Sequence, residues 1–478
     1  MNALRLASSL VFLSVLAVTT RGADVTTLGA KGDGRTDDTD AVQRAVDAGG
    51  SIRFPTGTFR LTRTIKIDLE KTGFVSLIGD GTSRVVMAGA GPAFQFIGTH
   101  DGSAAPESFK PNVWDRQRTP RVDSLEIVGA HPEADAIAAT GTMQLTVTHV
   151  VVREARHAVR LHQRNRNVMI SDCHFYHNRG VGVFMDAVNL HQINITGSHI
   201  SYNAGGGVVA RGGNVRNIHI GNCDIESNMS RETPETANIL IDCTGGSVGE
   251  VAITGCTIQH NSTGPNSANI RIIGAGENPA TARGPATKTN EGHVTITGNV
   301  LSDVQVNVHL QHVRGVTLTG NTFWMGFAHD LLVEDSSNVV MGPNNFDRNP
   351  RYEYTRTSAR GGVAFLRSRD CTITGLHLNG VRHQPAAILV EGCSRFNLSN
   401  STVLDSDGIA LHLNNSTLSR ISGCVLRDDR AEPNAEPALK VTGGRGNTIT
   451  GNVLDRAPVI TAEATTARDN EVLARVGK

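Results

Sequence analysis

The chain has 478 residues, with 45 basic and 45 acidic side chains, so no net field draws it toward nucleic acid. Its 51 glycines and only 4% aromatic residues fit many short strands joined by turns. The cations are 38 Arg against 7 Lys; the arginine fork matches carboxylates and sulfates, although a codon bias toward Arg gives the same ratio.

In chain order, residues 1–22 read as a secretory leader. Arg5 supplies the charge, Leu6 to Val18 the apolar run, and Thr20-Arg21-Gly22 the cleavage region. That run is too short to span a bilayer, and no later segment reaches the roughly 20 apolar residues needed. The expectation is an exported protein, secreted, periplasmic or at the cell surface. Next comes G-D-G-R-T-D-D-T-D, Gly32 to Asp40. Counted as an EF-hand loop from Asp33, its twelfth position is Arg44 where a glutamate is needed, so that calcium loop is excluded. The acids instead read as the start of a short amphipathic helix. Thr36, Asp37 and Asp38 serve as its N-terminal oxygens, Ala41, Val42, Ala45 and Val46 form its apolar side, and Gly49-Gly50 stop it.

From residue 145 onward one phrase recurs, mostly every 22 to 25 residues. Examples are V-M-I-S-D-C-H-F at 168, I-H-I-G-N-C-D-I at 218, V-T-L-T-G-N-T-F at 316 and N-T-I-T-G-N-V-L at 447. A second short strand follows most copies, as in A-V-R-L-H at 158, N-I-L-I-D at 238, N-I-R-I-I at 269 and N-V-H-L-Q at 307. Three short strands per repeat bury a face only by stacking on the next repeat. The fold class is therefore all-β, a single right-handed parallel β-helix with a short N-terminal capping helix. Residues 24–74 form the cap and first coil, and residues 75–478 the repeats.

With the helix identified as an end cap, L-G-A-K-G-D-G-R-T-D-D-T-D-A-V-Q-R-A-V followed by I-R-F-P-T-G-T-F resembles the N-terminal motif of the pectate-lyase-like superfamily. That group includes pectate lyases, rhamnogalacturonases, epimerase-like proteins and phage tailspikes. The resemblance implies the fold and leaves lyase, hydrolase, epimerase and scaffold open. It also implies a ladder of stacked asparagines at one turn, here Asn299, Asn321, Asn344 and Asn452. Cys173, Cys223, Cys256 and Cys424 share that slot and read as small buried fillers. Cys223 and Cys256 fall on adjacent coils, close enough for a bridge to be open.

In carbohydrate-active relatives the G-I-x-V strands form the sheet that binds polymer. Alternate residues point outward, which gives Arg160, Gly182, Val209, Leu240, Arg271 and His309 in one row. The other row holds His162, Phe184, Arg211, Asp242, Ile273 and Gln311. Insertions at 99–121, 227–237, 275–293 and 347–361 flank these strands, and the first and last are rich in Arg and aromatic residues. The polygalacturonase motifs N-T-D, D-D, G-H-G and R-I-K are missing, which disfavours hydrolysis by that pattern. β-Elimination or C5 epimerisation of an acidic polysaccharide remains, through a base and charge-stabilising cations. The candidate catalytic residues are His162, Arg211, Asp242 and His309. Arg160, Arg271, Tyr202 and Trp114 are candidates for binding substrate, with Arg160 and Arg271 as a carboxylate clamp; Arg211 or His162 is the candidate base and His309 or Tyr202 the acid. Asp242 is the candidate ligand if calcium takes part, a poor one alone. A glycan-binding or cell-surface module without catalysis, and a glycoside hydrolase of the same fold, are the competing readings.

Overall fold

In a computed structural model, residues 22–102, 105–231, 237–278, 284–352 and 359–474 are described. The expected leader lies outside them except for Gly22, as do Tyr354 and Arg356 of the last insertion. Among the described residues no helix is long and apolar enough to cross a membrane.

The chain winds as a right-handed parallel β-helix of three sheets. The front sheet runs from Ile65–Asp68 through Gly91–Ile97 and Ala134–Thr140 to Leu439–Thr442 and Val459–Ile460. In the middle coils it bends into the second sheet within single long strands, Val159–Ser171, Val181–Thr196, Gly206–Gly221 and Ala237–Thr254. The third sheet contains His174–Tyr176, His199–Ser201, Asp224–Glu226 and Thr257–Gln259. Every coil sends alternate Val, Ile and Leu side chains into one continuous core. Pairing is parallel and in register from coil to coil, as in Val208↔Ile239↔Ile270↔Val308.

Helix α1 (Thr39–Asp47) closes the N-terminal end by burying Ala41, Val42, Ala45 and Val46 against that core. The acids before it divide their work differently from the expectation. Only Asp37 caps the helix, accepting from the Thr39 N–H at 3.1 Å. The Asp38 side chain makes no cap bond and ties down the entry loop through the Lys31 and Gly32 N–H groups at 2.6 and 3.1 Å. The Thr36 hydroxyl donates to Asp33.

The expected turn ladder is present: Asn299 donates to Asn321 and Asn321 to Asn344, at 3.1 and 3.0 Å. In the same slot the backbone N–H of Cys256 donates to Asn299, and that of Cys424 to Asn452. All seven cysteines are buried thiols. Burial pushes Cys173 up to about 12, and contact with Cys256 together with burial raises Cys223. Thiolate is the reactive form, so a disulfide-exchange reagent is expected to label none of the seven rapidly in the native protein and all of them after denaturation. Fast native labelling of any turn cysteine would refute their role as core filler.

A second, longer ladder was not anticipated. Asn178, Asn203, Asn228, Asn238, Asn269 and Asn307, all buried, donate in series at 2.7–2.9 Å, and Asn307 donates to Asp330 at 2.8 Å. Burial pushes the Asp330 carboxyl up to about 6 from its ordinary 3.8. The folded chain therefore holds a proton through that interval while the unfolded chain has released it. This group's contribution to stability is full below its ordinary pKa and declines as pH rises from 4 toward 6. Asp330→Asn removes the titration. Its stability relative to the parent should shift in its favour across that window, measured by denaturant unfolding at several pH values. A pH-independent difference would contradict the assignment.

Candidate functional site

Two outward rows line the front sheet, and neighbouring coils lie about 4.8 Å apart. The first row reads Arg160, Phe184, Val209, Leu240, Arg271, His309 and Leu332. The second reads His162, Asp186, Arg211, Asp242, Ile273, Gln311 and Glu334. This corrects the register expected for one strand. The slots expected for Gly182 and Phe184 are held by residues two further on, Phe184 and Asp186, because the strand runs past G-V-G-V-F through the inward Met185. Asp186 is the functional residue that the error hid.

The rows divide into two clusters. In the first, Arg160 Nη2 lies 2.5 Å and Nε 2.9 Å from Asp186 Oδ2. Arg211 Nε lies 3.4 Å from Asp242 Oδ2. Asp242 also accepts from the Thr244 N–H at 3.0 Å, so a guanidinium already occupies the neighbourhood a calcium ion would need. His162 is half-buried, and burial followed by the Arg160 charge lowers its pKa. It is thus a neutral imidazole, able to accept a proton, at neutral pH. Arg211 is the most open cation of the cluster, its side chain 58% exposed. Beside it, Val209 and Leu240 join Val181, Ala237 and Ala268 in a separate apolar cluster outside the main core, with Phe184 packed on its edge.

The second cluster lies farther along the axis. Arg271 Nε donates to His309 Nδ1 at 3.3 Å, and its Nη2 donates to the Asn266 carbonyl. His309 Nε2 meets Glu334 at 2.9 Å, and Arg367 reaches the same carboxylate at 3.3 Å. Arg271 and His309 border a cavity of about 310 Å³ lined also by Ile273, Gln305 and Leu332. Arg160 and Arg271 are four coils apart in the register, roughly 19 Å, and cannot clamp one carboxylate as a pair. His309 is five coils from His162, so the two cannot share one reacting sugar. The rise per coil thus rules out both the Arg160–Arg271 clamp and a His162–His309 base and acid pair.

The flanks carry the remaining candidates. Tyr202 sits at the corner leading into the front sheet, half-exposed, stacked on His177 at 5.0 Å, and its pKa is raised by the Glu226 charge. On the other flank the 99–121 insertion folds onto the bend between front and second sheets. There Arg166 lies over Phe109 at 4.2 Å, Phe109 stacks on Trp114 at 5.9 Å, and Arg118 lies over Trp114 at 4.6 Å. Trp114 is therefore held in a layered clamp and is no open platform for a sugar. Next to the clamp, Arg164 donates Nη1 to Asn189 at 2.6 Å, while its buried Nε and Nη2 have no acceptor among the described residues.

The fold and these charged rows define a parallel β-helix with a polymer-length groove. A family model described as "Rhamnogalacturonase A/epimerase, pectate lyase-like" matches residues 23–230. Another, described as "Periplasmic copper-binding protein (NosD)", matches residues 250–471. The first of these matches, together with the fold, supports likeness to the pectate-lyase-like group of parallel β-helix proteins. It is 23% identical over 453 residues to the pre-neck appendage proteins of Bacillus phages PZA and phi29, covering 84% of this chain. The chain spans only 47% of either phage protein. Among solved structures it resembles tailspike protein 3 of bacteriophage CBA120, with 14% identity, 95% of this chain and 62% of that one covered, and a TM-score of 0.47. A tailspike mutant of E. coli bacteriophage HK620 in complex with pentasaccharide has 13% identity, coverage of 89% and 78%, and a TM-score of 0.48. The mannuronan C-5 epimerase AlgE6 A-module of Azotobacter vinelandii has 16% identity, coverage of 94% and 99%, and a TM-score of 0.35.

Proposed function

We propose that this protein binds an acidic polysaccharide along the front sheet and cleaves it by β-elimination or inverts it at C5. One observation carries the reading: the second row places a neutral, half-buried His162 two coils from the exposed Arg211, with Asp186 and Asp242 interleaved. In this scheme His162 removes the proton alpha to the uronate carboxylate, and Arg211 stabilises the enolate-like charge that develops. Asp186 holds Arg160, and Asp242 orients Arg211. An exported or surface location accords with the leader-like residues 1–22 and with "periplasmic" in the name of the second matching family.

A second reading, glycoside hydrolysis, is favoured by the pair Asp186 and Asp242. Two coils set them roughly 9.6 Å apart, beside the upper end of the separation used by inverting enzymes. One assay separates the readings. The protein is incubated with a panel of acidic and neutral glycans, and unsaturated uronate ends, reducing ends and deuterium exchange at C5 are followed together. Elimination gives the first two, hydrolysis only the second, and epimerisation only the third. Binding without any of the three supports the non-catalytic module. Failure to bind any acidic glycan defeats the proposal.

A further inference from the structure

Away from the front sheet, the third sheet carries a cluster that the groove does not use. His199 and Asp224 are directly paired across neighbouring strands, and Glu226 is the next outward residue along the Asp224 strand. The ligating atoms of the three all lie within 4.8 Å of one another. His199 Nε2 points between the carboxylates, 3.5 Å from Asp224 Oδ2 and 3.7 Å from Glu226 Oε1. Both distances are too long for a hydrogen bond. They match a different arrangement: atoms about 2.0–2.2 Å from a shared zinc ion stand roughly 3.4 Å from each other at tetrahedral angles. Among the described residues no Arg or Lys ion-pairs with either acid, unlike Glu126, Asp186 and Asp242, each of which meets an arginine. Two carboxylates thus converge on one histidine, with Gln259 Nε2 3.4 Å from the other oxygen of Glu226.

We propose that His199, Asp224 and Glu226 form a binding site for a divalent transition-metal ion, zinc by preference. An imidazole nitrogen with two carboxylate oxygens suits zinc and its neighbours, whereas calcium and magnesium take oxygen ligands alone. The three residues project from stacked, hydrogen-bonded strands, so the geometry is in place before the ion arrives. His174, whose ring stands edge-on to His199 at 5.9 Å, and Tyr202 beside Glu226 border the open side. Three protein ligands leave a fourth position for water or a group from outside. The proposal is independent of the groove chemistry, since none of its residues lies on the front sheet.

The test uses tag-free protein stripped with chelator and titrated with zinc by calorimetry, with cobalt as a spectroscopic probe. One zinc per chain, a raised melting temperature and a cobalt absorption of reduced symmetry are expected. His199→Ala should weaken binding by more than about tenfold, the loss that even an outer-shell change can bring. Asp224→Asn with Glu226→Gln relieves the repulsion, so this variant should fold at least as well as the parent without metal and lose the zinc-dependent rise in melting temperature. No saturable zinc binding by the parent overturns the proposal. So does binding of equal strength in His199→Ala, which would place the ion elsewhere, or a calcium affinity equal to that for zinc.

Discussion

Replacing Arg211 by alanine is expected to lower turnover of an acidic glycan by about a hundredfold or more, with little change in stability. Removing one preorganised donor from a developing oxyanion costs about 2–4 kcal/mol of transition-state stabilisation. The native state has little to lose, because the Arg211–Asp242 contact at 3.4 Å is largely solvated on the arginine side and exposed ion pairs contribute about 0–1 kcal/mol. His162→Ala should cause a loss of similar size for a different reason, the missing base. The two are separable by pH. Burial lowers the His162 pKa below its ordinary 6.5, so the parent's rate should stay level through neutral pH and fall only on the acid side of that value. Arg211→Ala should keep this profile at a reduced rate, and His162→Ala should lose it. Rates, melting temperatures and the pH profile are measured on the substrate found in the glycan panel. Full activity in both variants would move the chemistry off the second row. A collapse of melting temperature in either would make that residue structural.

The fold was legible because its signal is repeated. Period-two apolar residues, a glycine corner and a 22-to-25-residue spacing recur often enough that no single misread strand matters. The cap was legible through its apolar side, but not which acid would serve it, since Asp33, Asp37 and Asp38 differ only in loop geometry that sequence does not encode locally. The site was less readable because it depends on register. One strand read two residues short exchanged Phe184 for Asp186 and hid the acid that pairs with Arg160. The rise of about 4.8 Å per coil was readable, but it spreads the ionisable rows over roughly 25 Å, so residues at its two ends cannot act on one sugar. Arg160 and Arg271 looked like partners and are four coils apart. Trp114 was misjudged for a further reason: an insertion can spend its aromatic residues on holding itself down, as Arg166, Phe109, Trp114 and Arg118 do.

The longer asparagine ladder had a visible signal in N-I-L-I-D, N-I-R-I-I and N-V-H-L-Q, where Asn238, Asn269 and Asn307 begin equivalent strands. Its energetic weight leads to the largest stability effect expected in the molecule, at Asn238→Ala. Asn238 is fully buried; its Oδ1 accepts from the Asn228 backbone at 3.0 Å and from Asn228 Nδ2 at 2.9 Å. Its Nδ2 donates to Asn269 Oδ1 at 2.8 Å and to the Gln259 carbonyl at 2.9 Å. Alanine leaves donors on one coil and acceptors on the next with nothing between them. Each orphaned buried group costs about 1–3 kcal/mol, so the sum is about 3–6 kcal/mol even after some rearrangement. Asn238→Asp should be nearly as damaging at neutral pH, because a carboxylate accepts from Asn228 but has no proton for Asn269. It should recover part of the loss in acid, where the protonated group can donate again. Asn345→Ala, at an exposed position, should stay within about 0.5 kcal/mol of the parent. Denaturant midpoints for the three variants at neutral and acid pH decide the matter. If Asn238→Ala unfolds at the parent's midpoint, the ladder is a by-product of coil stacking and does not hold the coils together.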